Sequence, residues 1–401
     1  MSRWRPRDVY GVVVPLLSLS RVTGVAAFHL IGEPPYVQIR IMPVDCVALL
    51  LNLLINCVCV YLNVEHSRAF TFTGSAVMDA GLGYLFPFGA ICMMLVNCDN
   101  VLRRETIGAI VAELYAVDRS LQRKSHRINH RLQVRLLIRI LILLLSLVSI
   151  GSCYSLAVAL SVHGSERLKF PDFATNTFSY LVTGCEIVLV NFHFITAARL
   201  VAFRFDAIER CLRKHLDAGQ WWIERSNPWG RKTTPVDVIA DFGDDFFALV
   251  RIVTRINRIY SNQLVLCISG VCFYSIFIIY ATTFTIYMGR LEELRMVSVM
   301  LSAWAFMVAM MAFIFHAGVE LSRSARNVTE LLHDAVQREQ DPGTRQKLLH
   351  FSQQILLRPP KLRSLFYEFN WKTMFRIFGF IVTYLVILMQ FDRVSVRPEK
   401  E

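Results

Sequence analysis

The sequence predicts an all-α membrane protein with seven transmembrane helices, a cytosolic N-terminus, an extracellular C-terminus and a cytosolic helical anchor layer. Three observations lead there. Of the 401 residues, 54% are apolar and only 18% are charged, and the mean hydropathy is +0.44, far from the balance of a water-soluble domain. Apolar runs of spanning length recur along the whole chain; each is long enough, at about 1.5 Å per residue, to cross about 30 Å of hydrocarbon. The basic residues are strongly biased to one side of those runs.

Taken in order, the runs lie at 44–64, 77–98, 136–162, 178–203, 262–289, 297–319 and 371–391. The first begins too far along the chain, and has the wrong flanks, to be a cleaved signal peptide. Most of the 43 Lys and Arg residues fall in the N-terminus and in the second, fourth and sixth loops. The short second loop shows the bias by itself, with Arg103, Arg104, Arg119, Arg123, Lys124, Arg127, Arg131 and Arg135. The positive-inside rule places those segments in the cytosol. The formal charge of +12 then reads as topology and contact with the anionic face of a lipid bilayer, and not as a nucleic-acid footprint. All ten cysteines except Cys211 lie in or beside apolar runs, with no CxxC pair, so they read as small apolar fillers, not as disulfides or metal ligands. Asp45, Arg139 and Arg199 lie near span ends and read as snorkelling interfacial groups. His193 and His316 are isolated. Without a metal-ligand spacing or an inverted repeat, the spans suggest neither an enzyme, a transporter nor a cofactor.

Between the spans, the cytosolic segments are long and amphipathic. Residues 204–260 extend the fourth and fifth helices, joined through Trp221-Trp222 and the breakers Pro228, Gly230 and Pro235. The sixth helix continues over 320–341, and a further helix at 344–357 stops before Pro359-Pro360, where proline cannot supply the next helical N–H. Their apolar stripe (Val319, Leu321, Val328, Leu331, Leu332, Val336) has no lipid to cover it and must pack on other helices or subunits. The resulting organisation is 1–319 for helices one to six with an outward-facing pocket, 320–370 for anchor helices, 371–391 for the last span and 392–401 for an extracellular tail.

Several side chains in the outer halves of spans two to six are costly to place in lipid. Span two carries Asp79 and Tyr84, and span four carries Tyr180, Thr183 and Glu186. Span five shows Tyr280, Thr283, Phe284 and Tyr287 on one helical face, and span six brings Ser298, Ser302 and Trp304. Together they suggest an outward-opening pocket for a small molecule, with aromatic walls and a few hydrogen-bonding groups. Glu186, Asp79, Tyr84, Thr183, Tyr280, Thr283, Tyr287 and Trp304 are its candidate ligand-binding residues. Tyr and Trp also serve as membrane-interface anchors, and Ser and Thr also bond their own helices, so both readings stand.

The last span ends Thr383-Tyr384-(five apolar)-Gln390-Phe391. Thr383 and Gln390 are seven apart, as are Tyr384 and Phe391, which puts both pairs on one stripe with Ile387 between them. Such a stripe fits a pore or a tight helix contact; alternatively Gln390 marks where the helix leaves the membrane.

This ending resembles the C-terminal signature of insect gustatory receptors. The flanking Arg358-Pro359-Pro360-Lys361 and Phe369-Asn370 are similar to that family's final segment, and Pro15 to Gly24 to its opening. The resemblance implies a ligand-gated, non-selective cation channel, related in fold to insect odorant receptors and assembled as a tetramer of itself or with related receptors. It implies that the last helix of each subunit lines a central pore, with Gln390 and Phe391 at the outer gate, supported by Thr383, Tyr384 and Ile387. Many sugar-sensing members look like Thr-Tyr-Glu where this chain has Leu385, which turns the expectation toward a bitter or aversive tastant; a fructose-type sugar channel is the alternative. The implied location is the plasma membrane of a sensory neuron's dendrite. A seven-helix G-protein-coupled receptor is the alternative from another class. Its acidic-arginine motif would be Asp118-Arg119, which stands in the loop before span three, and the charge bias gives the opposite orientation.

Overall fold

The computed structural model describes residues 6–31, 38–65, 76–124, 126, 128–161, 170–217, 235–287 and 294–395. Among them are ten helices: α1 (Val9–Val22), α2 (Pro43–Glu65), α3 (Ala76–Leu102), α4 (Arg104–Arg123), α5 (His130–Ser161), α6 (Phe170–Asp217), α7 (Pro235–Tyr287), α8 (Leu294–Arg338), α9 (Pro342–Leu357) and α10 (Trp371–Ser395). A short antiparallel ribbon, β1 (His29–Ile31) with β2 (Gln38–Arg40), precedes α2 and pairs Leu30 with Ile39. Seven helices (α2, α3, α5, α6, α7, α8 and α10) are long and apolar enough to cross a membrane.

Three of the spanning helices are far longer than a bilayer requires. α6, α7 and α8 contain 48, 53 and 45 residues, or about 68–80 Å at 1.5 Å per residue, against about 30 Å of hydrocarbon. Their extensions meet away from the most apolar stretches. There Phe205 of α6 packs on Phe246 of α7 with ring centroids 5.0 Å apart, and Phe351 of α9 meets Phe246 edge-on at 6.1 Å. α9 starts where Asp341 accepts the Thr344 N–H at 2.8 Å with Pro342 at its first position, and stops before Pro359-Pro360. The turn expected around Trp221-Trp222, Pro228 and Gly230 lies outside the described residues.

Two helices are not anticipated by the span pattern. α1 begins at Asp8, whose carboxylate accepts the Gly11 N–H at 2.9 Å, and buries Val9, Val12, Val13, Leu16 and Leu17. α4 buries Ile107, Ile110, Val111, Leu114, Val117 and Leu121, an i, i+3, i+4, i+7 stripe. It is locked in place by a bidentate ion pair: Arg204 of α6, fully buried, donates to Asp118 of α4 through Nε at 2.8 Å and Nη2 at 2.7 Å. Lys124, which caps the end of α4, and Ser120 of α4 reach Asp245 of α7 at 2.6 and 3.0 Å. The interfacial reading of two span-end charges is corrected as well. Asp45 is buried and paired with Arg21, and Arg199 pairs with Glu320 at 3.2 Å; each charge is compensated within the protein, so neither has to reach for the headgroups.

The segment between α9 and α10 is held as a tight hairpin on α7. Asn257 donates to Lys361 O at 2.9 Å and accepts from Arg363 N–H at 3.0 Å, and Ser261 Oγ accepts from Leu365 N–H at 3.0 Å. Phe369 then inserts among Phe194, Phe315 and Tyr367. Its backbone runs so close to Gly318 of α8 that a methyl group there would lie 2.5 Å from Phe369 O. Asn370 accepts the Thr373 N–H at 2.8 Å and so caps α10. The Phe369-Asn370 pair thus anchors and starts the last helix.

Candidate functional site

A cavity of about 470 Å³ opens among α3, α6, α7 and α8. Tyr180 and Thr183 of α6, Tyr274 and Phe277 of α7, and Met307, Met310 and Met311 of α8 form its walls. Tyr84 and Phe88 of α3 and Phe273 of α7 also line it while remaining exposed at the protein surface, which frames its mouth. Glycines shape the space. A methyl group at Gly270 would meet nothing within 4 Å, whereas one at Gly81 would fall 2.3 Å from the Phe277 ring. Tyr180 packs edge-on to Phe306 at 6.3 Å. Few polar groups are left to serve a guest. The Tyr274 hydroxyl donates to Met300 O at 3.1 Å, and the Asn191 amide donates to Ile187 O at 2.8 Å. Apart from the hydroxyls of Tyr84, Tyr180 and Thr183, the lining is aliphatic, aromatic and sulfur-bearing, the surroundings that hold small, mainly apolar molecules.

Of the residues singled out from the sequence, Tyr84, Tyr180 and Thr183 line this cavity. Tyr280, Thr283, Tyr287, Trp304 and Glu186 do not. Tyr280 is buried and stacks on Phe284 with centroids 6.1 Å apart, Thr283 bonds back to Ile279 O at 2.8 Å, and Tyr287 is exposed at the end of α7. Trp304 donates its indole N–H to Ser275 Oγ at 2.8 Å, a helix-to-helix tie. Asp79 belongs to the first turn of α3, and its side chain lies outside the described ones. Glu186 is buried on the face of α6 turned toward α2, where its Oε1 accepts from Asn52 at 2.6 Å and from Asn56 at 2.8 Å.

Glu186 belongs to a polar cluster that the span-by-span reading did not find. Asn97 of α3 donates to Asn52 Oδ1 at 2.9 Å, and Asn52 also donates to Thr23 O at 2.9 Å. Two turns beyond Asn56 along α2, Asn63 donates to Ser179 Oγ at 2.7 Å. The signal was present in the sequence: Asn52, Asn56 and Asn63 recur at helical spacing inside the first apolar run.

The polar-aromatic stripe of α10 faces away from its own protomer. Ile381 is buried, and Met374, Ile377 and Phe378 pack against the core on the same side. Thr383, Ile387 and Gln390 are exposed on the other side, and exposed Tyr384 packs at a tilt on Phe380 with ring centroids 4.4 Å apart. The Phe391 side chain lies outside the described ones. Only 11% of the most apolar stretch of α10 is buried within the chain, against 72% for α6. Among the described residues no group of three or more His, Cys, Asp or Glu side chains could hold a metal ion, and all ten cysteines are free.

A model of the 7tm chemosensory receptor family matches residues 14–394. No curated protein matches the chain by sequence. Among solved structures, the insect olfactory receptor OR5 from Machilis hrabei superimposes with a TM-score of 0.64 at 9% identity, covering 94% of this chain and 97% of that one. The same receptor in complex with eugenol gives a TM-score of 0.61 at 10% identity with the same coverage. At these identities the likeness is one of fold.

Proposed function

The chain belongs to the 7tm chemosensory receptor family, and from that premise we propose that it is a gustatory receptor acting as a ligand-gated, non-selective cation channel. It is a multi-pass membrane protein in which seven helices can span the bilayer. Its place is the plasma membrane, in the dendrite of a sensory neuron, with the N-terminus cytosolic and the C-terminus outside. The single observation that carries the reading is the cavity of about 470 Å³ walled by α3, α6, α7 and α8. It has the size and lining of a small-molecule site, and a structural neighbour was solved with eugenol.

The lining bears on the class of tastant. A sugar carries many hydroxyls, and each one buried without a partner is costly. Here Tyr274 and Asn191 already spend donors on backbone carbonyls, while methionine and aromatic side chains fill most of the wall. That favours a mainly apolar bitter or aversive compound over a sugar. The exposed stripe of α10 supports the channel half of the proposal. Its polar groups need a polar or protein environment, which four copies around an axis would supply, as a homotetramer or with related receptors. Phe391 would then form a dewetted constriction beside a ring of Gln390 amides, supported by Thr383, Tyr384 and Ile387. Ligand opens such a channel only by binding the open arrangement more tightly than the closed one.

Whole-cell recording of the chain expressed alone, against panels of apolar bitter compounds and of sugars, tests the proposal. A cation current evoked by an apolar compound is expected. Sugar-evoked currents alone would overturn the ligand class, and silence from channels labelled at the cell surface would overturn self-sufficient gating.

A further inference from the structure

The cluster around Glu186 holds more buried acceptor atoms than it can satisfy. Glu186 is 4% exposed, Asn56 and Asn97 are 0% exposed, and none is near bulk water. Five of the six amide N–H groups are committed: Asn52 to Thr23 O and Glu186 Oε1, Asn56 to Asn52 O and Glu186 Oε1, and one of the two on Asn97 to Asn52 Oδ1. Three oxygens of the same linked cluster, Glu186 Oε2, Asn56 Oδ1 and Asn97 Oδ1, have no hydrogen-bond partner among the described residues. Glu186 also forms no ion pair there, unlike the buried Asp118 and Asp45, each matched with an arginine.

A buried carboxylate without a countercharge is expensive at membrane depth. Protonation would remove the charge and let Oε2 donate to one amide oxygen, but it would leave the other amide oxygen of the cluster without a partner. A bound cation answers both deficits at once. The available ligands are hard oxygens with one negative charge among them, and neither thiolate nor imidazole joins them, which excludes a transition-metal site. A divalent ion would exchange one uncompensated negative charge for a positive one, so the charge balance selects a single positive charge.

We infer that Glu186, Asn56 and Asn97 form a site for one monovalent alkali cation, Na+ or K+, between α2, α3 and α6. The site is separate from the ligand cavity, although it shares two of its helices. Thr183 and Ile187 line the cavity one turn and one residue from Glu186, and Met93 does so one turn before Asn97. A cation held there ties α2 to the two helices that carry the cavity wall.

The test uses the full-length protein in lipid nanodiscs, melted in NaCl, KCl or N-methyl-D-glucamine chloride at equal ionic strength. The expected result is a melting temperature higher by several degrees in at least one alkali salt than in N-methyl-D-glucamine. The NaCl and KCl arms tell which ion is preferred. In Glu186→Gln, which keeps shape and hydrogen bonds but removes the charge, that difference should vanish. The variant matters because the pore stripe lies elsewhere and any cation it attracts would be unaffected. Identical wild-type melting in all three salts would overturn the site, as would a full salt difference retained in Glu186→Gln. If that variant does not assemble, Asn97→Ala carries the same comparison: a reduced alkali effect supports the site, and an undiminished one overturns it.

Discussion

Gly270 and Gly318 are both helical glycines, yet adding one methyl group to each should have opposite effects. At Gly270 a Cβ would meet nothing within 4 Å, because the residue borders the cavity. Gly270→Ala therefore clashes with nothing and removes unfolded-state freedom, a gain of about 0.4–1 kcal/mol. At Gly318 a Cβ would lie 2.5 Å from Phe369 O and 2.6 Å from Phe369 Cβ, so the hairpin that starts α10 has to move. Overpacking of this kind costs about 1–3 kcal/mol. Thermal melting of the two variants should move apart accordingly. The cavity's role is read by a third variant, Gly270→Leu, which fills the space the ligand would occupy. Losing even two methylene contacts costs about 1.6 kcal/mol, more than tenfold in affinity. Recording should show the agonist dose-response of Gly270→Leu shifted by at least that factor, with surface expression retained. A destabilised Gly270→Ala would refute the account of the open wall. An unshifted response in Gly270→Leu would refute the cavity as the ligand site.

Other outcomes follow from the same contacts. Phe391→Ala should raise the resting conductance by removing the apolar constriction; an unchanged resting current at normal surface expression would remove Phe391 from the gate. Arg204→Met should destabilise the protein by about 3–5 kcal/mol, because it strands the buried Asp118 carboxylate, whereas Arg204→Met combined with Asp118→Leu should recover much of that loss. A double variant as unstable as the sum of the two single ones would show that the pair is not coupled. Trp304→Phe should lower stability by about 1 kcal/mol through loss of its bond to Ser275 while leaving the dose-response in place, since Trp304 stands off the cavity wall; a shifted dose-response would return it to the ligand site.

Periodicity and apolar length carried the architecture. The seven spanning helices, the long extensions of α6, α7 and α8, and the stop at Pro359-Pro360 rest on local rules: how far a helix rises per residue, and which residues cannot continue it. The stripe of α10 was legible for the same reason, because residues seven apart share a face whatever surrounds them. α4 was equally legible in its Ile107 to Leu121 stripe, but that helix is too polar to count as a span and its apolar face becomes meaningful only beside α6 and α7. The ligand cavity was read only in part. Tyr84 and Thr183 fell on it, while Tyr280, Thr283 and Tyr287 share a helix face that never reaches it.

The chain alone thus determined that this is a helical membrane protein, which parts of it span, and which residues of the last helix share one polar-aromatic stripe; only the structure turned that stripe away from the rest of its protomer. Only the tertiary structure decided which buried polar groups meet. Glu186 looks like a pocket residue along the sequence, because a carboxylate in an apolar run advertises its cost but not its partner. Its neighbours Asn52, Asn56 and Asn97 arrive from two other helices, up to 134 positions away. Helix packing alone turns Glu186 toward those amides and leaves the cavity to Gly270, Tyr274 and the methionines of α8.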